Sequence, residues 1–174
     1  MKTTRKQESE PVRLARTALE TYITHGKIMK PPQIQVEGIP TRAAVFVTLN
    51  KHGQLRGCIG TTSPTRASVW EEIIANAIAA GTQDPRFNPV REEELDELVY
   101  SVDILSEPEL ITDVSQLDPQ KYGVIVKQGR RSGLLLPALE GIDTAEEQVR
   151  IAKRKAGISE GDVTLRRFTV TRYY

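Results

Sequence analysis

Two strand-like runs around a four-residue turn limit this chain's fold more than any other stretch. Arg42 to Leu49 is rich in valine and phenylalanine and reads as a strand. Asn50-Lys51-His52-Gly53 is turn chemistry, and Gln54 to Gly60 returns as the partner strand. The returning strand carries two glycines, Gly57 and Gly60, around Cys58-Ile59. A glycine inside a strand weakens it and marks either a bulge or a place where a ligand or another backbone comes close. Both readings stay open for Gly57 and Gly60. Side chains two apart in a strand share a face. Arg56, Cys58 and Gly60 are therefore expected on one face, and Leu55, Gly57 and Ile59 on the other.

The rest of the chain alternates helices with further hairpins. Glu10 to His25 has the spacing of a helix, with Val12, Ala15, Leu19 and Tyr22 on one stripe, Ser9 as its cap and Gly26 as its stop. Lys30 to Pro40, with three prolines, reads as an extended connector. Ser63-Pro64 is expected to open a second helix lasting to Ala80 and stopped by Gly81, with Trp70, Ile73, Ile74, Ala77 and Ile78 buried. Asp84 to Pro89 is a stiff loop, Glu92 to Glu97 a short helix, and Leu98 to Leu105 a strand. Tyr122–Lys127 and Gly133–Leu136 form a second hairpin. Thr144-Ala145-Glu146-Glu147 is a capping box opening a helix that ends near Ala156, ahead of Gly157. Thr164 to Tyr173 alternates as one last strand. Hairpins separated by helices imply an α+β fold with a mainly antiparallel sheet and flanking helices.

Composition removes several functional classes. The 174 residues carry a formal net charge of +1, which gives no bulk attraction to nucleic acid or membrane. One cysteine cannot form an internal disulfide, so a reducing cytoplasm is the expected setting. Residues 1–10 are polar, without the apolar core of a signal peptide, and are expected to be a flexible segment ahead of the domain at 11–174. No run approaches the ~20 apolar residues of a membrane span. Two histidines and one cysteine do not make a structural zinc set. There is no glycine-rich phosphate loop, zinc-protease motif or serine elbow, so no metal or cofactor is expected.

Chemistry concentrates in Gln54 to Thr61. Cys58 is either a nucleophile or a small buried hydrophobe. Arg56 is either an anion clamp, which beside the thiol would favour the reactive thiolate, or half of an ion pair with an acid such as Asp84. Asp84 and Arg86, two apart in a proline-stiffened loop, either close a pocket or lock that loop onto the hairpin. Phe87 reads as a core anchor ahead of a stacking platform, and His52 as a solvated turn residue. Arg130 and Arg131 at a hairpin tip are a solvated tip or a weak nucleic-acid patch.

Leu-Arg-Gly-Cys-Ile-Gly-Thr at 55–61 resembles the signature of the AMMECR-one domain, the AmmeMemoRadiSam system protein A family. Three further blocks agree in order: Asn76 to Ala80 followed by Asp84 to Phe87, then Gly133 to Pro137, then Lys155-Ala156-Gly157. Asn88 departs from the proline of many relatives. The resemblance implies a larger and a smaller α/β lobe with a cleft between them. It leaves the activity unestablished, with an enzymatic role centred on the cysteine motif; the arginine of that motif adds the expectation of an enzyme or enzyme component handling a small anionic ligand. In that reading Cys58 is the nucleophile, Arg56 the clamp, and Gly57, Gly60, Thr61, Asp84 and Arg86 line the site. The alternative it implies is a non-catalytic partner of a Memo-like or radical S-adenosylmethionine companion protein.

Overall fold

In the computed structural model, which describes residues 7–174, the chain forms two antiparallel sheets with flanking helices. Among the described residues, one unit runs through Ile104 and takes back Arg172–Tyr174; the other is Leu105–Thr171. Residues 1–6 of the expected flexible segment lie outside the described residues. Beyond them, Glu8 accepts hydrogen bonds from Arg16, and the Ser9 amide donates to the Tyr174 carbonyl.

The first unit is built on a sheet ordered β2 (Gln54–Gly60), β1 (Val45–Lys51), β3 (Leu98–Leu105) and β8 (Val170–Tyr173). Helix α1 (Glu10–His25) ends on Gly26, whose left-handed backbone lets its amide reach the Tyr22 carbonyl. Ser9 sits at the cap position, but its buried hydroxyl makes no cap bond. Strands β1 (Val45–Lys51) and β2 (Gln54–Gly60) form the expected hairpin. The strand begins three residues later than Arg42 because the Thr41 carbonyl receives the Val69 amide and the Arg42 side chain holds the Arg66 carbonyl. The turn narrows to His52 and Gly53, both left-handed, the geometry a two-residue hairpin needs.

Helix α2 (Val69–Thr82) starts six residues later than Ser63, capped by Ser68. Buried Glu72 draws the preceding segment into a loop, accepting from the Thr65 and Arg66 amides and the Thr61 and Thr65 hydroxyls. Gly81 lies inside the helix instead of stopping it. A side chain there would meet Leu19 of α1, so the glycine permits helix–helix contact. Residues Glu92–Glu97 form a 3-10 turn, and β3 (Leu98–Leu105) pairs with β1 on the side away from β2. Val45, Val47 and Leu49 bury one face of β1 with Ile73 and Ala77 of α2.

The second unit contains β4 (Glu109–Ile111), β5 (Gly123–Gln128), β6 (Arg131–Leu135), α3 (Ala145–Ala156) and β7 (Thr164–Phe168), in the sheet order β4-β7-β5-β6. Val124, Val126, Leu135, Val149 and Ala152 form its core. Thr144 caps α3 through its hydroxyl, and left-handed Gly157 closes it. The last strand is not continuous. It divides at Thr169 into β7 and β8 (Val170–Tyr173), which belong to different sheets. Ser106 clamps the break, donating to the Thr169 carbonyl and accepting its amide on the Ser106 hydroxyl.

Both units use the same packing device. A Cβ on Gly57 would lie 2.2 Å from the Ala80 carbonyl oxygen of α2, and one on Gly133 would lie 2.2 Å from the Ala152 carbonyl of α3. Each helix rests backbone-first on a strand glycine. Gly57→Ala is expected to lower unfolding free energy by about 3 kcal/mol, the upper range of overpacking costs, because the obstacle is rigid backbone. The midpoint of urea unfolding, measured beside the Gly133→Ala variant, checks this.

Candidate functional site

Among the described residues, strand β2 is an edge strand bonded only to β1. Its register slips between Leu49 and Asn50, which leaves Arg56 without a cross-strand partner. This is a bulge, and a bulge re-aims the side chain it carries. The sequence places Arg56 beside the thiol, with Asp84 as its nearest acid. In the structure the guanidinium engages Glu94 instead, with Nε and Nη2 each 3.0 Å from a different carboxylate oxygen. Both side chains are largely buried. Glu94 also accepts from Lys51 Nζ at 3.0 Å and the Arg91 amide at 2.8 Å. Bonding to Arg56 first, then to the Arg91 amide and Lys51, overcomes the cost of burial and holds the Glu94 carboxyl at about 2, against an ordinary 4.5.

Cys58 pairs with Thr48 across the hairpin, on the sheet face opposite Val47 and Leu49. It is partly exposed, and its sulfur lies 3.2 Å from the Thr48 hydroxyl. The Cys58 amide donates to Asp84 Oδ2 at 2.9 Å. Asp84 is buried, and the same carboxylate accepts both Nε and Nη2 of Arg86 at 3.0 and 2.8 Å and the Arg86 amide at 3.1 Å. Arg86, opposed by burial, and then the Cys58 amide hold the Asp84 carboxyl well below the usual carboxylate range. Arg86 is correspondingly raised, chiefly by Asp84 and to a smaller degree by Cys58. Its side chain is 56% exposed. The carboxylate that holds the Cys58 amide therefore also holds Arg86, whereas Arg56 is held by Glu94.

Phe87 ties these groups together. The Arg56 and Arg86 guanidinium carbons lie 5.9 and 5.5 Å from its ring centroid, so the ring is a platform for two cations, not the core anchor expected from sequence. His52 is exposed and reaches Glu97 at 3.2 Å.

The remaining residues expected to line a site divide. Gly57 faces α2, and the Ala80 carbonyl fills the space a ligand would need. Gly60 lies under the Phe46 ring on the face of Cys58. The Thr61 hydroxyl donates to Glu72, and Thr61 and Gly60 line a groove of about 570 Å³ beside α2. Sequence reasoning missed Thr48, Glu72, Asn76 and Glu94. Glu72, Asn76, Ala80 and Asp84 share a spacing of four, a readable signal, and each meets the hairpin or the loop following it. Glu94 is 38 residues from Arg56 and left no local signal. Among the described residues no three His, Cys, Asp or Glu side chains converge as metal ligands, and no helix is long and apolar enough to cross a membrane.

Comparison with known proteins adds a lineage. The AMMECR1 family model matches residues 12–174. A Thermotoga maritima protein is 56% identical over 166 residues, covering 93% of this chain and 95% of its own length. A Clostridium acetobutylicum protein is 50% identical over 173 residues, 97% of this chain, which spans only 37% of that longer relative. Several archaeal relatives, among them one from Thermococcus onnurineus at 43% identity, are spanned to 66% of their length. The crystal structure of an uncharacterized protein from Pyrococcus horikoshii superposes with a TM-score of 0.82 at 37% identity, covering 93% of this chain and 88% of that one.

Glu94 generates an acid-stability prediction. Its carboxyl is depressed in the folded state, so its stabilisation is complete above about pH 4.5 and is lost as pH falls toward about 2. Wild-type stability is expected to drop steeply across that window, and Glu94→Gln to show a shallower drop. At pH 7, Glu94→Ala should cost roughly 3 kcal/mol by leaving Arg56 buried and unpaired. Urea unfolding at a series of pH values reads both effects.

Proposed function

The chain belongs to the AMMECR1 family, and from that premise we propose that it is an enzyme or enzyme component acting on a small anionic molecule at Cys58. One observation carries the reading: a single buried carboxylate, Asp84, fixes both the backbone of Cys58 and the exposed guanidinium of Arg86. A thiol and a cation held by a common anchor are preorganised, because neither must be reoriented when an anion arrives. Arg86 supplies the anion contact with its exposed edge, since its Nε and one Nη are already engaged by Asp84. Cys58 is the reacting group, with Thr48 in contact with its sulfur. Asp84 is a positioning residue.

The second reading is a non-catalytic module for a companion protein of the radical S-adenosylmethionine or Memo-like kind, within an AmmeMemoRadiSam system. It is favoured by the engagement of Arg56 with Glu94, which leaves the thiol one cation fewer than the sequence motif suggests.

Alkylation separates these readings. Iodoacetamide should modify Cys58 in the native protein at neutral pH, the sulfur displacing iodide. Arg86→Gln should slow the reaction roughly five-fold, the worth of about 1 kcal/mol of Coulomb attraction near the surface. Arg56→Gln should leave the rate within about two-fold where the variant folds. Mass spectrometry of timed aliquots measures the rates. A thiol that reacts only in denaturant would remove the enzymatic reading and leave the second.

A further inference from the structure

The groove beside α2 carries a combination that the Cys58 reading does not use. Its apolar lining comes from Ile28, Met29, Ile59, Ile74 and Ile78, and Ile28 at the rim is 70% exposed. One wall is the open edge of β2. The Thr61 amide donates to the Val45 carbonyl at 3.1 Å, which makes Phe46–Gly60 a non-hydrogen-bonded pair of the antiparallel ladder. Gly60 therefore turns its own N–H and C=O to the open edge, where neither has a partner among the described residues. The equivalent Cys58 amide is already taken by Asp84, which closes the edge at that end.

The opposite wall holds Asn76, 5% exposed. Its Nδ2 donates to the Val45 carbonyl at 2.9 Å, which fixes the orientation of the amide. The Asn76 Oδ1 accepts no hydrogen bond among the described residues and opens onto the groove. An amide whose nitrogen is already engaged leaves its oxygen free to accept from a donor that enters the groove. The hydroxyls nearby do not supply one, since Thr61 and Thr65 both donate to Glu72.

We propose that this groove binds an extended segment of a partner protein, which adds to the β2 edge at Gly60 and sets branched apolar side chains against Ile28, Ile59 and Ile78. A peptide backbone offers what the walls lack: an acceptor for the Gly60 N–H, a donor for the Gly60 carbonyl, and a second donor for Asn76 Oδ1. Main-chain pairing at a sheet edge supplies affinity, and alternate side-chain sockets supply selectivity. The plug of Asp84 on the Cys58 amide sets the register, because pairing can begin only at Gly60. This inference stands independently of any reactivity at Cys58.

The test pans a displayed random heptapeptide library on the full-length protein and titrates the three most enriched synthetic peptides into isotope-labelled protein. Enrichment of Ile, Val or Leu at alternate positions is expected. Binding should move the Asn76 side-chain amide resonances and slow exchange of the Gly60 amide proton at least ten-fold. Ile28→Ser, at an exposed rim position that does not threaten folding, should weaken binding at least five-fold, while Cys58→Ser should leave it within two-fold. The proposal is overturned by a library that yields no binder, by peptides that leave Gly60 exchange unchanged, or by self-association through this edge without peptide. Alkylation of Cys58 is read separately, so failure here leaves the thiol assignment standing.

Discussion

Four residues spaced by four, Glu72, Asn76, Ala80 and Asp84, hold the hairpin and the loop after it in place. Residues at this spacing line one side of a helix, and this side faces the edge strand. Glu72 gathers the loop after β2, Asn76 holds the start of β1, the Ala80 carbonyl seats on Gly57, and Asp84 takes the Cys58 amide just past the helix end. Three of the four contacts are polar and buried, so each is demanding about distance and angle. The helix can approach closely enough to make them only because Gly57 has no side chain.

That closeness carries into the chemistry. Asp84 reaches the edge of β2 because α2 lies against the strand at Ala80, four residues earlier. The loop it opens presents Arg86 and Phe87, and the ring of Phe87 gathers the guanidinium groups of Arg56 and Arg86. Two carboxylates, Asp84 and Glu94, thus divide two arginines between them. Asp84 holds an exposed arginine together with the Cys58 amide, while Glu94 holds a buried one. The same pattern of a helix set on a strand glycine recurs at Gly133 and Ala152, where buried Gln148, four residues before Ala152, donates to the Tyr122 carbonyl and Lys155 to the Leu134 carbonyl.

Local patterns were legible where local physics decides. Helix α1 and strands β2 and β3 have the bounds read from spacing, and α3 begins beside its threonine cap and ends ahead of its glycine. Readings failed where a distant partner intervened. Ser63-Pro64 looks like a helix start, but Glu72 wraps that segment into a loop. Gly81 looks like a stop, but Leu19 of another helix fills the space beside it. The final strand alternates without interruption, and only Ser106, 63 residues away, breaks it at Thr169. The short strand at Glu109–Ile111 has two exposed residues and too little alternation to be seen.

The sequence alone determined the α+β class, the hairpin that carries the cysteine, and the loop that carries Asp84 and Arg86, because propensity, turn chemistry and periodicity act over a few residues. Only tertiary structure decided which acid each arginine meets. A one-residue bulge re-aims Arg56, and an acid far along the chain receives it. Bulges and long-range ion pairs leave no periodic trace, since their energy comes from groups that meet only after the chain has folded.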